Sequence, residues 1–234
     1  MKVDNTKETR RQAAKYAVTL IIQRFIGLAC FLLAAGTLLN LQGWIYFFLY
    51  FMISVVSLAV MLKSHAETLS ERGKKHDNTK GWDKILLPIF VLLTFYGIYV
   101  IAGIGVRLSW NRLSMEWFYV GIALYLVSCI FNIWPVMENK HFESTSRIQN
   151  DRVQSVITTG PYRIVRHPGY TGIVIWSIAI AFMFGTLAVG IASAFIIIII
   201  CIRTYLEDTM LKNELTGYTE YTKIVKYRLL PFIW

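Results

Sequence analysis

Arg203 and Glu207 stand four residues apart, directly after a 36-residue stretch, His167 to Ile202, that carries no Lys, Arg, Asp or Glu. On a helix continuing out of that stretch the two share one face at its polar end. The spacing admits two outcomes. The charges close on each other as an i,i+4 ion pair, worth a few tenths of a kcal/mol. Otherwise each engages a ligand group of opposite sign: Glu207 an ammonium, and Arg203 a carboxylate held in its fork. Charge at membrane depth favours the second. Ahead of the same stretch lies Arg166-His167-Pro168-Gly169-Tyr170. Proline suits the first helical position, where its missing N–H has no partner to lose. A helix beginning at Pro168 would turn free N–H groups and the positive end of its dipole toward a carboxylate or phosphate, with His167 beside it and Gly169 and Gly172 allowing close approach. The same residues also read as the plain start of a membrane helix, with Arg166 reaching to lipid headgroups. If the apolar stretch folds back on itself, Gly160-Pro161-Tyr162 and residues 166–170 meet Arg203, Glu207 and Asp208 at one membrane face.

Other chemistries find little support. His65, His76 and His141 fall in loops without a carboxylate or second histidine at metal spacing, and read as solvated side chains. HExxH is absent, so no metal is expected. Cys30, Cys129 and Cys201 are scattered through apolar runs without a CxxC pair, and read as apolar filling rather than a disulfide framework. GxGxxG and GxxxxGK[ST] are missing, which removes the usual Rossmann and P-loop nucleotide sites. Glu116 and Glu138 bracket a span and read as solvated ends.

The elements that position these residues are membrane helices. Four stretches without charge, Phe25 to Leu62, Ile85 to Val106, Trp117 to Met137 and His167 to Ile202, make up half of the 234 residues. Runs of about 18 or more such residues mark membrane spans and exclude a soluble globular enzyme. Hydrophobic content of 56% excludes disorder. The polar break Asn40-Leu41-Gln42-Gly43 divides the first run into spans near Val18 to Leu39 and Gly43 to Leu62. The 36-residue run would reach roughly 54 Å as one helix, against a hydrocarbon thickness of about 30 Å. It must therefore turn, and Gly185-Thr186 is the expected place, giving a hairpin of Gly172 to Phe184 and Leu187 to Ile202. Pro135 is expected to kink or end the fourth span near its cytoplasmic end.

The expected architecture is all-α and polytopic: one integral-membrane domain over 1–234, with four spans in 1–137 and a loop, hairpin and tail in 138–234. The net charge of +10 would suggest nucleic acid in a soluble protein. Here the basic residues sit in the segments between spans, where they set orientation, so no nucleic-acid partner is expected. Of 24 Lys and Arg, 21 fall in the N-terminal segment, residues 63–84, residues 138–169 and the tail from Arg203. Only Arg107 and Arg112 fall on the opposite side, while Arg24 lies inside the first span. Both termini and the candidate site are thus expected in the cytoplasm. No small-residue cleavage site follows a short apolar core, so no cleaved signal peptide is expected.

The segment Arg147-Ile148-Gln149-Asn150-Asp151-Arg152, then Gln154-Ser155-Val156-Ile157-Thr158-Thr159-Gly160-Pro161-Tyr162 and Arg166-His167-Pro168-Gly169-Tyr170, resembles the isoprenylcysteine carboxyl methyltransferase family of integral-membrane enzymes. Arg203, Glu207-Asp208 and Leu211 look like the family's pattern after the last span, and Tyr218, Tyr221, Val225 and Leu230-Pro231-Phe232 like its closing stretch. The resemblance covers about residues 140–234.

It implies S-adenosylmethionine as cofactor, held at the cytoplasmic face between the loop, the hairpin and the following helix. By resemblance, Gln149, Gln154, Val156, Ile157, Tyr162, His167, Pro168, Gly169 and Tyr170 bind that cofactor. Glu207 faces its amino group, Arg203 binds substrate, and Arg203 and Glu207 form the catalytic pair. The chemistry of the residues agrees. The helix start suits the cofactor's carboxylate, Glu207 its ammonium, and Tyr162 or Tyr170 its adenine. The implied acceptor is lipophilic, a prenylated cysteine carboxylate or similar, reached from the bilayer, and the implied membrane is the plasma membrane of a prokaryote or the endoplasmic reticulum of a eukaryote.

The acidic run is only two residues long here, Gly169 stands where many members have another small or polar residue, and the sequence between Asp151 and Gln154 is shortened. These departures bear on the acceptor, since members of the wider superfamily also methylate lipid amines or small thiols. Membrane sterol or enone reductases using NADPH resemble the chain at Arg-His-Pro-x-Tyr too, but they typically have Asn before the Tyr. A transporter or assembly factor is the remaining alternative, although a transporter would be expected to have broken helices in corresponding halves.

Overall fold

A computed structural model describes residues 2–74 and 76–234, with side chains from residue 7 onward. Among these residues the regular elements are all helical. Five helical spans are long and apolar enough to cross a membrane: Lys7–Ala35 within α1 (Lys2–Ala35), α2 (Leu41–Ser64), Asp83–Arg107, α6 (Met115–Glu138) and α8 (Leu187–Glu214). A short helix, α3 (Ala66–Arg72), follows α2, and α9 (Tyr218–Ile224) follows α8. The Asp83–Arg107 span comprises α4 (Asp83–Leu92), one π turn (Leu93–Gly97) and α5 (Ile98–Arg107). The sixth apolar helix, α7 (Pro168–Phe184), has only 17 residues.

The boundaries follow local chemistry. The first apolar run breaks at 36–40, a few residues earlier than the polar quartet suggests. Gly36 ends α1 in the left-handed region (φ 65°), which glycine enters without a Cβ clash. Asn40 then caps α2, its Oδ1 accepting from the Gly43 N–H at 2.7 Å. The second turn lies where expected: Gly185 closes α7 at φ 65° and Thr186 caps α8. α7 starts at Pro168, four residues before the predicted hairpin limb, and α8 continues twelve residues past Ile202 to Glu214. Arg203, Glu207 and Asp208 are therefore all helical. α6 runs through Pro135 to Glu138.

The spans pack as a bundle around aromatic side chains. Phe31, Tyr46, Phe47, Tyr99, Phe118 and Phe184 are nearly or fully buried, and the Tyr46 and Tyr99 hydroxyls bond at 2.8 Å, which satisfies both polar tips inside an apolar core. α6 and α7 pack closely at Gly121, where an added Cβ would come within 2.6 Å of Met183 Cγ and 2.9 Å of the Ala179 carbonyl. Outward-facing Leu33, Phe48, Phe195 and Ile198 are more than half exposed, as expected of helices solvated by lipid. Arg24, the charge inside the first span, is partnered by the Ser54 hydroxyl (2.5 Å) and the Leu20 carbonyl (2.8 Å). Cys30, Cys129 and Cys201 are free thiols, each half-buried.

Candidate functional site

The 139–167 connection folds over the polar ends of α7 and α8 and, with α9, encloses a cavity whose empty space, open mouth included, is about 850 Å³. Gln149, Gln154, Val156, Ile157, Tyr162, His167, Pro168, Gly169, Tyr170 and Glu207 all line it. Arg203 is 2% exposed and lies off that wall, its guanidinium carbon 5.5 Å from the centre of the Tyr170 ring.

Each wall has a local cause. Gln149 is buried, donates from Nε2 to the His141 carbonyl (2.6 Å), and donates its backbone N–H to the side-chain oxygen of Gln154 (2.8 Å). These bonds pin a loop that has no ladder of its own. Arg147, also buried, anchors the same loop by binding Glu143 (2.8 Å) and Asp151 (2.7 Å). Its hydrogen bonds hold the Arg147 guanidinium above its ordinary range and Asp151 below the usual carboxylate range. Tyr162 sits in a 3-10 turn, Gly160–Arg163, and its buried hydroxyl accepts from Asn139 Nδ2 (3.2 Å). Burial raises the Tyr162, Tyr218 and Tyr221 hydroxyls above the ordinary tyrosine range, so all three stay neutral.

At the α7 start, His167 precedes Pro168 and its ring stacks on Tyr170, with centroids 5.8 Å apart. A Cβ on Gly169 would come within 2.9 Å of the Phe142 ring, so the glycine lets the loop close onto the helix. Glu207 is the acidic group of the cavity wall on α8. Its Oε2 accepts from Tyr170 Oη (2.6 Å) and Ser146 Oγ (2.8 Å), and Oε1 lies 3.9 Å from His167 Nδ1.

Two expectations change. Arg203 neither pairs with Glu207 nor stands unpaired: its Nε binds Asp83 Oδ1 (2.8 Å), NH2 approaches the same oxygen (2.7 Å), and NH2 also donates to the Ser144 carbonyl (3.2 Å). Asp83 opens α4, 120 positions away, and is fully buried. Arg166 does not reach to headgroups. It is buried against Asp208 (2.7 and 3.1 Å) and donates to the Val225 and Lys226 carbonyls (2.9 and 2.8 Å). Asp208 also receives Lys212, Arg228 and the Tyr218 hydroxyl, each at 3.0 Å. It is thus a hub that ties the tail to α8, whereas Glu207, its neighbour, faces the cavity.

The histidines depart from a solvated reading. His141 is 5% exposed and lines the cavity, and neither ring nitrogen has a hydrogen-bond partner among the described residues. Burial, then Arg152 and Lys140, lowers its affinity for a proton, so its ring is neutral. His76 Nε2 lies 3.6 Å from Glu143, and Glu71 joins them in a cluster whose ligand atoms fall within 4.8 Å of one another. Glu143 and Glu71 are already bound by Arg147 and Lys74. Glu138 is half-buried and accepts the Thr159 hydroxyl, rather than ending α6 in solvent.

Asp83, Asn139 and Ser146 escape sequence reasoning because their partners are distant in the chain, and His141 because its burial comes from the fold of the loop around it. Tyr218 and Tyr221 are visible there only as part of the closing stretch, yet both line the cavity.

Comparison with known proteins bears on the same region. Residues 121–213 match the family described as the isoprenylcysteine carboxyl methyltransferase (ICMT) family. Over 74 residues the chain is 34% identical to two rice proteins, from Oryza sativa subsp. indica and subsp. japonica, each named "Probable protein-S-isoprenylcysteine O-methyltransferase". That match takes in 30% of this chain and 39% of each relative, so the chain spans about two fifths of the relatives' length. Residues 121–213 contain α7, most of α6 and α8, and the loop that roofs the cavity. It is through this segment that the chain resembles the isoprenylcysteine carboxyl methyltransferase family.

Proposed function

We propose that the protein is a membrane methyltransferase that takes its methyl group from S-adenosylmethionine and places it on a lipophilic acceptor, the carboxylate of a prenylated cysteine or a close analogue. The observation that carries this reading is the convergence of ten residues, separated by up to 58 positions from Gln149 to Glu207, on one cavity at the polar ends of α7 and α8.

The cavity's donor set fits that cofactor. Glu207 offers a carboxylate to an ammonium, with Tyr170 and Ser146 holding it in place. The first turn of α7 offers a helix N-terminus to a carboxylate. The unpartnered nitrogens of His141 and the hydroxyl of Thr145, both on the wall, are buried polar atoms that a bound ligand would satisfy. Tyr162, Tyr218 and Tyr221 supply aromatic surface for a purine. When bound, S-adenosylmethionine supplies a methyl group made electrophilic by its sulfonium.

The rest is positioning by the chain. An acceptor carboxylate is ionised at neutral pH, so the site needs orientation and exclusion of water rather than a general base. Arg203 binds Asp83 and Ser144 through Nε and NH2. Its NH1 carries two further donors suited to holding an acceptor carboxylate. The excess of Lys and Arg in the loops and tail supports a cytoplasmic cavity and cytoplasmic termini.

The test is calorimetric titration of the purified, detergent-solubilised protein with S-adenosylhomocysteine and, separately, with NADPH. Saturable binding of the first alone, weakened in Glu207→Gln, is the expected result. Binding of NADPH alone would move the assignment to a reductase, and binding of neither by folded protein would overturn the enzymatic reading.

A further inference from the structure

Arg203 and Glu207 occupy successive turns of one face of α8, where an arginine and a glutamate ordinarily find each other. Here the arginine is turned away. Asp83 takes its Nε and NH2, and Asp83 Oδ2 accepts the Ser146 N–H at 2.8 Å. Ser146 in turn donates its hydroxyl to Glu207 Oε2, the oxygen that also receives Tyr170. One chain of contacts therefore runs from the start of α4 through the loop at 144–146 to the acidic group of the cavity. Asp83 is fully buried, and both its oxygens are engaged in that chain.

Electrostatics gives this arrangement a consequence. A buried guanidinium requires a counter-charge, because leaving it unpaired costs several kcal/mol. Were Asp83 neutral, the carboxylate one turn along α8 would meet that need, and Glu207 would be drawn from its cradle and neutralised. We propose that Asp83 is a positioning residue that sequesters Arg203, so that Glu207 keeps its negative charge for the cofactor's ammonium. It lies outside residues 121–213, so the inference reaches into the part of the chain that the family match does not cover. It rests on the methyltransferase reading of Glu207.

The experiment measures S-adenosylhomocysteine affinity by calorimetry in wild type, Asp83→Asn and the double variant Asp83→Asn with Arg203→Gln. Asparagine keeps the shape and an acceptor for Ser146 while removing the charge. Affinity should fall about 10- to 100-fold in Asp83→Asn, the span commanded by one charge-assisted hydrogen bond. Removing the stranded cation as well should restore it to within about threefold of wild type. A purely structural aspartate would give the opposite, the double variant binding no better than the single. That result, or wild-type affinity in Asp83→Asn, overturns the proposal. If Asp83→Asn yields no folded protein, the double variant decides alone, since it buries neither charge: near-wild-type affinity sustains the proposal and a tenfold or greater loss sinks it. A wild-type protein that binds no S-adenosylhomocysteine would remove the methyltransferase reading first and this inference with it.

Discussion

Asp208→Asn should lower the stability of the protein far more than the same change at Asp151, although both aspartates bind an arginine. Asp208 is 1% exposed at its side chain and faces Arg166, itself 4% exposed, with Lys212 and Arg228 on its second oxygen. Removing one partner of a buried ion pair costs about 3–5 kcal/mol, because the remaining charge stays desolvated. The cost here belongs near the lower end. Arg166 keeps the Val225 and Lys226 carbonyls, and asparagine still offers one acceptor. Against that, two further cations converge on the neutral amide, so about 3 kcal/mol is the expected loss. For a chain of this size each kcal/mol moves the thermal midpoint by about 2–4 °C, which gives a drop of roughly 6–12 °C. Asp151 is 55% exposed, and its arginine retains Glu143, so Asp151→Asn should cost less than about 1 kcal/mol. The assay is thermal unfolding of both variants in one detergent, read by tryptophan fluorescence. A midpoint for Asp208→Asn no lower than that for Asp151→Asn would refute the description of Asp208 as a buried hub.

Glu207→Gln should weaken S-adenosylhomocysteine binding by about 10-fold or more while the protein still inserts and unfolds near the wild-type temperature, as titration and melting would show together. Arg203→Ala should leave that affinity within a few-fold but lower turnover of a prenylcysteine acceptor, and it should melt earlier because Asp83 stays buried without its cation. His141, whose protonation is disfavoured by burial, gives a pH signature: the unfolded chain takes up a proton near 6.5 that the folded chain refuses, so stability present above that value should decline as pH falls below it. Melting from pH 8 to 5 should show this slope in wild type and a shallower one in His141→Gln. Gly185→Ala should cost about 1–2 kcal/mol through its left-handed backbone, measurable as a lower midpoint with the cavity's ligand affinity retained.

What the sequence discloses is governed by the range of the forces involved. Absence of charge over about twenty residues is a local property with one physical outcome in a bilayer, and each charge-free run became helical. The turn at Gly185 is equally local, since a glycine followed by a capping threonine is what a tight helix–helix connection requires. The first break falls earlier than the polar quartet because Gly36 and Asn40 act at opposite ends of one short connection, and the quartet marks only its second half. The cavity wall was legible through motif residues that are close in the chain or already grouped by resemblance. Asp83 was not: it reads as one more charge bordering a span, and only folding places it against Arg203. His141 failed for the same reason, as its burial comes from a loop closing over α7 rather than from its neighbours in sequence.

The different fates of Glu207 and Asp208 show why an acidic pair cannot be read as a unit on a helix. Consecutive residues point about 100° apart around the axis, so only one of them can share the face of Arg203 and the cavity. Glu207 takes that face and touches Tyr170, Ser146 and, more distantly, His167. Asp208 looks toward the tail and meets Arg166, Arg228 and Tyr218. Two arginines that would compete for Glu207 are thereby consumed by aspartates on either side of it, Arg203 by Asp83 and Arg166 by Asp208. The cavity is left with a carboxylate held by hydroxyl groups rather than by a guanidinium. Hydroxyl donors fix its position without cancelling its charge, which is the condition for binding a cationic ligand and not merely for stabilising the helix ends.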